Sequence, residues 1–315
     1  MKIIRIMAQY RIVVAAAVGA VGLFYVFGSF YYYHFPAYFE QPVPERQKPG
    51  VFLTSTIIRI SEDMMAHWLP NDVLWPTALL DNPQSFQLGE LEAVRYAVKS
   101  LRDDLSRLRT TDQIDPDVDR AASYFFFEPT RWAFPSAENR YRLAIEALER
   151  YHGRLEKDAA GFSPRADNLH KFIGDLASLL GGVSNRLANA PRDIQTRITE
   201  ETAGDVNLEH EQEIKHLTPW RQIDNNFYYA RGVLYVVRQL MLAVKYDFSD
   251  VISQWNAGNL VTATTRTLDR TQFEPLVVAN GDRGALWANH SLQLQALLED
   301  ARQKMRSLQN ILAGG

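Results

Sequence analysis

Residues 81–95 read DNPQSFQLGELEAVR, and residues 224–238 read DNNFYYARGVLYVVR. They match at Asp81/Asp224, Asn82/Asn225, Phe86/Tyr229, Gly89/Gly232, Leu91/Leu234, Val94/Val237 and Arg95/Arg238, every pair 143 positions apart. The apolar positions beyond keep the same register: Leu91, Val94, Val98, Leu101 and Leu105 answer Leu234, Val237, Met241, Val244 and Phe248. Steps of three and four put such residues on one stripe of an α-helix. The stretch therefore predicts an all-α body with an internal pseudo-repeat, in which helices over 84–109 and 227–248 occupy related places. The Asp-Asn pairs stand where helix caps are expected, because their side-chain oxygens accept orphan N–H groups. Glycine is unfavourable inside a helix, so Gly89 and Gly232 at matched positions predict a close helix crossing.

The echo extends outward. Phe127-Glu128-Pro129 returns as Phe273-Glu274-Pro275, 146 positions on, and His67-x-x-Pro70 returns as His216-x-x-Pro219. Ala144, Leu148, Tyr151 and Leu155 return 150 positions on as Leu294, Leu298, Ala301 and Met305. This divides the body into a unit of about 67–190, a polar helix and linker over 192–216, and a unit of about 216–312. Further helices are expected over 54–69 and 163–190. The two units are expected to pack about a pseudo-twofold axis. Arg95 and Arg238 lie just off the apolar seam, where ion pairs with Glu128 and Glu274 are expected.

Before the body, Ile12 to Tyr33 is an apolar and aromatic run without charge. As a helix it would be about 33 Å long, enough for a hydrocarbon core of about 30 Å. Lys2, Arg5 and Arg11 precede it, so the positive-inside rule puts residues 1–11 in the cytoplasm and the rest outside. A cleaved signal peptide would have a shorter apolar region and small residues at its end; here bulky rings follow. An uncleaved transmembrane helix over 12–33 is the expectation, with the bilayer as its partner. Ala15 and Gly19 have the small-residue spacing that brings two helices together, which suggests a homodimer. Tyr31, Tyr32, Tyr33, His34, Phe35, Tyr38 and Phe39 read as an interfacial aromatic belt. Residues 34–53, with Pro42, Pro44 and Pro49, read as a stiff spacer, and 54–315 as an all-helical domain outside the cytoplasm.

With 46% hydrophobic and 23% charged residues the chain has the make-up of a globular protein. A net charge of −3 with scattered lysine and arginine gives no footprint for nucleic acid. There is no cysteine, which removes disulfides, thiolate nucleophiles and thiolate metal sites. No metal signature stands among His210, His216 and the glutamates around them, no Gly-x-Ser-x-Gly surrounds a serine, and no glycine-rich phosphate loop is present. No cofactor and no catalytic residue is assigned. One set of residues suggests a binding groove for glycan, peptide or lipid: Trp68, Asn71, Asp72 and Trp75 from one unit, with Trp220, Asp224, Asn225, Asn226, Asn289 and His290 from the other. Tryptophans beside amide groups suit such a groove; the same residues also serve as caps and core edges.

The strings LPND, LDN-x4-QLG, FSPRADNL followed by SNRLA, TPW-x2-IDNNFYYARG and NGDRGALWANHSL resemble a bacterial family catalogued as domain of unknown function 2333. The resemblance spans roughly residues 50–312. It implies one N-terminal membrane helix, a largely helical region, and a Gram-negative inner-membrane protein facing the periplasm. It brings no activity and no catalytic residues. The leading expectation is a scaffold or interaction module of the cell envelope that engages another envelope protein; the alternative is an envelope enzyme or binding protein working through the groove.

Overall fold

The computed structural model describes residues 2–33, 35–42, 48–73, 77, 80–107, 113–188, 192–198, 211–217, 220–275, 278 and 289–314, with the side chains of 2–9, 192–198, 211–217 and 220–221 outside that description. Helix α1, Lys2–Tyr32, contains a stretch from Tyr10 to Tyr32 that is long and apolar enough to cross a membrane and is not buried by the rest of the chain. The body is helical: α2 (Val51–Ala66), α3 (Asp81–Ser100, continued by a π turn over Leu101–Leu105), α4 (Pro116–Phe125), α5 (Ala137–Leu155), α6 (Ala166–Ala188), α7 (Trp220–Asp247), α8 (Ser249–Gln254), α9 (Gly258–Asp269) and α10 (His290–Ala313). Residues 192–216, expected as a solvated helix and linker, instead contain β1 (Arg192–Ile198) and β2 (Glu211–Leu217), paired antiparallel with Arg192 opposite Leu217. They are the only strands among the described residues.

The centre of the body is the crossing of α3 and α7. A methyl group on Gly89 would strike the carbonyl oxygen of Tyr229 and lie 3.0 Å from the Val233 nitrogen. One on Gly232 would strike the carbonyl oxygen of Phe86 and lie 3.0 Å from the Glu90 nitrogen. Each glycine thus seats the backbone of the other helix, and the atoms touched are themselves 143 positions apart. Packing exchanges across this point. Helix α2 lies on α7, α3 and α5, while α6 lies on α3, α7 and α10; α4 joins α3 to α5 as α9 joins α7 to α10. These contacts set α2 opposite α6, whereas the expected units placed α6 in the first unit and α2 outside both.

The far end of the body shows the same exchange. Helix α2 has no side-chain cap of its own, and the Leu53 N–H donates to Asp247 Oδ2 at the end of α7 (2.6 Å). Asp104, 143 positions earlier at the end of α3, accepts from Lys171 Nζ near the start of α6 (2.8 Å). The Asp-Asn pairs are not caps. Asp81 and Asn82 are the first two residues of α3, whose preceding residue is Leu80, and Asp224 and Asn225 lie inside α7. The caps that do form are Asp115 on α4, Ser136 on α5 and Asn289 on α10, each accepting from a backbone N–H in the first turn.

Helices α8 and α9 lie outside the helices expected from the sequence, and the buried face of α9 is built largely from threonine. In α9, Thr262, Thr264 and Thr265 donate back to the carbonyls of Gly258, Leu260 and Val261. That satisfies their hydroxyls and lets Thr264 and Thr265 enter the core of a threonine-rich helix. Tyr141 and Tyr151 are buried completely in the core, and each keeps its hydroxyl bonded to a carbonyl, of Phe127 and Gly161.

Residues 33 and 35–42, from a stretch expected as a lipid-facing aromatic belt and spacer, form a strap along α7, and His34 lies outside the described residues. Phe35 stacks on Tyr228 (5.1 Å, 11°) and Tyr38 on Tyr235 (5.5 Å, 2°). Tyr235 Oη donates to the Ala37 carbonyl (3.3 Å), Gln239 Nε2 to that of Phe39 (3.1 Å), and Tyr38 Oη to that of Leu268 (3.3 Å). Stacked pairs each contribute about 0.5–1.5 kcal/mol beyond their buried area, so the body is docked on the end of α1 rather than tethered to it. The spacer residues 43–47 lie outside the described residues.

Candidate functional site beneath the strap

Where the strap leaves α1 it roofs a cavity of about 390 Å³. Tyr32, Phe35 and Phe39 wall it from above, and Arg59, Asp63 and His67 from α2 and its end. Glu90 of α3 lines it from below. The glycine crossing places Glu90 there: it follows Gly89, where α3 runs against α7, and only 2% of it is exposed. Its Oε1 has no hydrogen-bond partner in the structure. Burial, with the nearby Asp63 charge adding to it, pushes the Glu90 carboxyl well above the usual carboxylate range. Arg59 lies over the Phe39 ring (4.9 Å) and 3.7 Å from Asp63.

A second buried charge lies on the other side of Phe35. Arg231, 3% exposed, stacks its guanidinium on Phe35 (4.9 Å) and Tyr228 (5.5 Å). Its Nη2 is 3.8 Å from Glu274, while Nε and Nη1 have no partner. Burial lowers its pKa, opposed chiefly by Glu274. The strap therefore covers a carboxyl and a guanidinium that are each incompletely bonded. Such groups are costly to bury, and they are where an incoming polar ligand or water gains most. Among the described residues no three metal-ligating side chains converge, and no nucleophile stands beside a base in the cavity lining.

Among the described residues, those expected to form a groove make separate sets of contacts. Tyr32 packs on His67 (5.4 Å), and beyond it Trp68 is buried against Tyr141, its Nε1 donating to the Pro129 carbonyl (3.2 Å). Asn71 Nδ2 donates to the Arg131 carbonyl, and Asp72 accepts from Thr77. Asn225 and Asn226 line a separate open depression with Arg186 and Tyr229. Asn289 caps α10, and the His290 ring is 6.4 Å from Phe273. Trp75 and the Trp220 side chain lie outside the described residues. Trp68, Asn71 and Asn289 thus serve the fold.

The expected ion pairs have other partners. Arg95 donates to the carbonyls of Phe125 and Phe127 (2.8 Å each) and lies 3.5 Å from Glu92, while Glu128 accepts from Thr130. Arg238 pairs with Asp269 (2.8 Å), and Glu274 faces Arg231. Both arginines do hold the end of the following helix, α4 or α9. Arg95 does so through the Phe125 carbonyl at the end of α4 and the Phe127 carbonyl that opens the first Phe-Glu-Pro, and Arg238 through Asp269, the last residue of α9.

Glu90 is not among the residues the sequence pointed to, although an acid next to Gly89 in an apolar seam is a signal in itself. No curated protein and no solved structure matches the chain. A family model described as an uncharacterized protein conserved in bacteria, domain of unknown function 2333, matches residues 37–315, a span that takes in the strap from Ala37 onward and every helix of the body, and the chain belongs to that family.

Proposed function

We propose that the protein is a membrane-anchored scaffold or interaction module of the bacterial cell envelope. In this reading α1 crosses the inner membrane with its N-terminus in the cytoplasm, and the body stands in the periplasm. The basic residues before the apolar run support that orientation. The observation that carries the reading is the docked strap. An enzyme or carrier on a membrane anchor needs only a tether, whereas a module that presents one face to a neighbour gains from a fixed attitude toward the bilayer. We propose further that the body arose from two copies of one unit, α2–α5 and α6–α10, which the reciprocal packing supports. The test is a pull-down of tagged full-length protein in mild detergent, with mass measurement of the complex. A stoichiometric second envelope protein is the expected result. A homodimer alone would shift the reading to self-assembly, and a bare monomer would oppose it.

Glu90 favours a second reading, a binding protein for a small polar ligand. It predicts that such a ligand protects the strap from proteolysis and that Glu90→Ala abolishes the protection. The wider Trp/Asp/Asn/His groove has no comparable support, since its members lie apart.

A further inference from the structure

Among the described residues, the segment between α4 and α5 carries the most exposed large apolar side chains outside α1. Phe134 is 97% exposed, Trp132 70% and Phe126 55%, with Val73 at 63% nearby in sequence to Asn71, which binds the same segment. Large rings so exposed in a globular body mark a surface that something covers. The segment is also firmly held. Trp68 and Asn71 donate to the carbonyls of Pro129 and Arg131, the Ala137 N–H donates to Arg131 (2.8 Å), and Arg95 and Tyr141 both bind Phe127. The rings are thus presented by ordered backbone.

Its position identifies the cover. Trp68 and Asn71 follow directly on His67, and His67 packs on Tyr31 (6.4 Å) and Tyr32 (5.4 Å), the last turn of α1. The start of α5 is at the same end, where Trp68 meets Tyr141 (5.3 Å). Resting on the reading that α1 crosses the bilayer, we infer that the 126–135 segment is a second membrane contact, which inserts Trp132 and Phe134 into the lipid interface beside the anchor. Tryptophan and phenylalanine partition to that depth, and Arg131 immediately before them suits a surface of anionic headgroups. With the strap, this contact gives the body two points of attachment and so fixes its tilt.

The chain has no cysteine, so single cysteines can be placed at will. Nitroxide labels on Phe134→Cys, Val18→Cys in α1 and Ser307→Cys near the far end of α10 are compared in full-length protein reconstituted into phosphatidylethanolamine/phosphatidylglycerol vesicles. The ratio of collisions with oxygen to those with a water-soluble nickel complex reports depth. The expected result is a ratio at 134 several-fold above that at 307 and approaching that at 18. A label at 134 as wet as at 307, with 18 in lipid, overturns this inference and leaves the anchor standing. If 18 is also wet, the anchor and the inference fall together. Shielding of 134 in native membranes but not in pure lipid vesicles overturns it in favour of a protein partner.

Discussion

Glu90 and Asp247 are buried acids with opposite surroundings. Asp247 accepts backbone N–H groups at the start of α2, and burial still outweighs those bonds, raising its pKa to about 6. A carboxyl whose pKa is higher in the folded state binds its proton more tightly there, so it costs stability as the pH climbs from the unfolded value through the folded one. For Asp247 that window runs from about 4 to about 6, and the loss once it ionises is on the order of 3 kcal/mol. Asp247→Asn keeps an oxygen for the Leu53 N–H without the charge. Its melting temperature should gain on the native protein between these pH values and hold the gain above them, by about 2–4 °C for each kcal/mol. Glu90→Gln should act in the same direction, with more stability at pH 8 than the native protein and a difference that shrinks toward acid pH. A pH-independent difference would mean that Glu90 is ionised and bonded in the cavity. Arg231 is the reverse case. Removing one partner of a buried pair leaves an uncompensated charge, so Glu274→Ala should cost about 1–3 kcal/mol, discounted for the exposure of Glu274. Glu128→Ala, which loses only an exposed bond to Thr130, should cost under about 0.5 kcal/mol. Equal losses in thermal unfolding would contradict this.

Between elements, the decisive contact is the α3–α7 crossing. Alanine normally stabilises a helix against glycine by about 1 kcal/mol, and at Gly182, where nothing lies within 4 Å, Gly182→Ala should raise stability by up to that amount. At Gly89 or Gly232 the added methyl meets backbone, which cannot rotate away. Gly89→Ala and Gly232→Ala should each lose about 3 kcal/mol or more, read as a lower urea midpoint or as failure to fold. This crossing was legible in the sequence, since matched glycines inside two apolar seams have few other uses. Helix positions were legible for the same reason, and α2 and α6 lie close to where periodicity put them. The strap was not. An aromatic run such as YYYHFPAYF has the composition of a lipid-facing belt and equally of a core-facing strap, and only the tyrosines of α7 decide between them. The Asp-Asn pairs misled because a helix starts where tertiary packing lets it start. The candidate site was the least legible part: its tryptophans and amides were noticed as a set, but nothing local told that Trp68 and Asn71 would be spent on holding the 126–135 backbone.

For the whole molecule, the exchange of contacts makes a demand on folding. In the first half, α3 has its glycine face open until α7 arrives, and in the second half α7 is equally open until α3 arrives. The chain between α5 and α6 passes through Asp158 and Ala159, both exposed, so it can be cut after Ala159 with Ala160, which packs on the core, kept in the second fragment. Residues 1–159 and 160–315, translated together in a cell-free system with lipid nanodiscs, should assemble, with the second fragment retained on the nanodisc through its crossing with the anchored first. Gly232→Ile in the second fragment should abolish retention, because the larger side chain blocks the same seat. Translated alone, neither fragment should unfold cooperatively. If each does, and the two remain separate when mixed, the halves are independent domains, the crossing is a secondary contact, and the apparent exchange between α2 and α6 carries no evolutionary meaning. Retention that survives Gly232→Ile would place the main association at the flanking contacts between the fragments instead, α2 on α7 and α6 on α3, where the Leu53 N–H donates to Asp247 Oδ2 (2.6 Å) and Ser100 Oγ to Asp175 Oδ2 (2.8 Å).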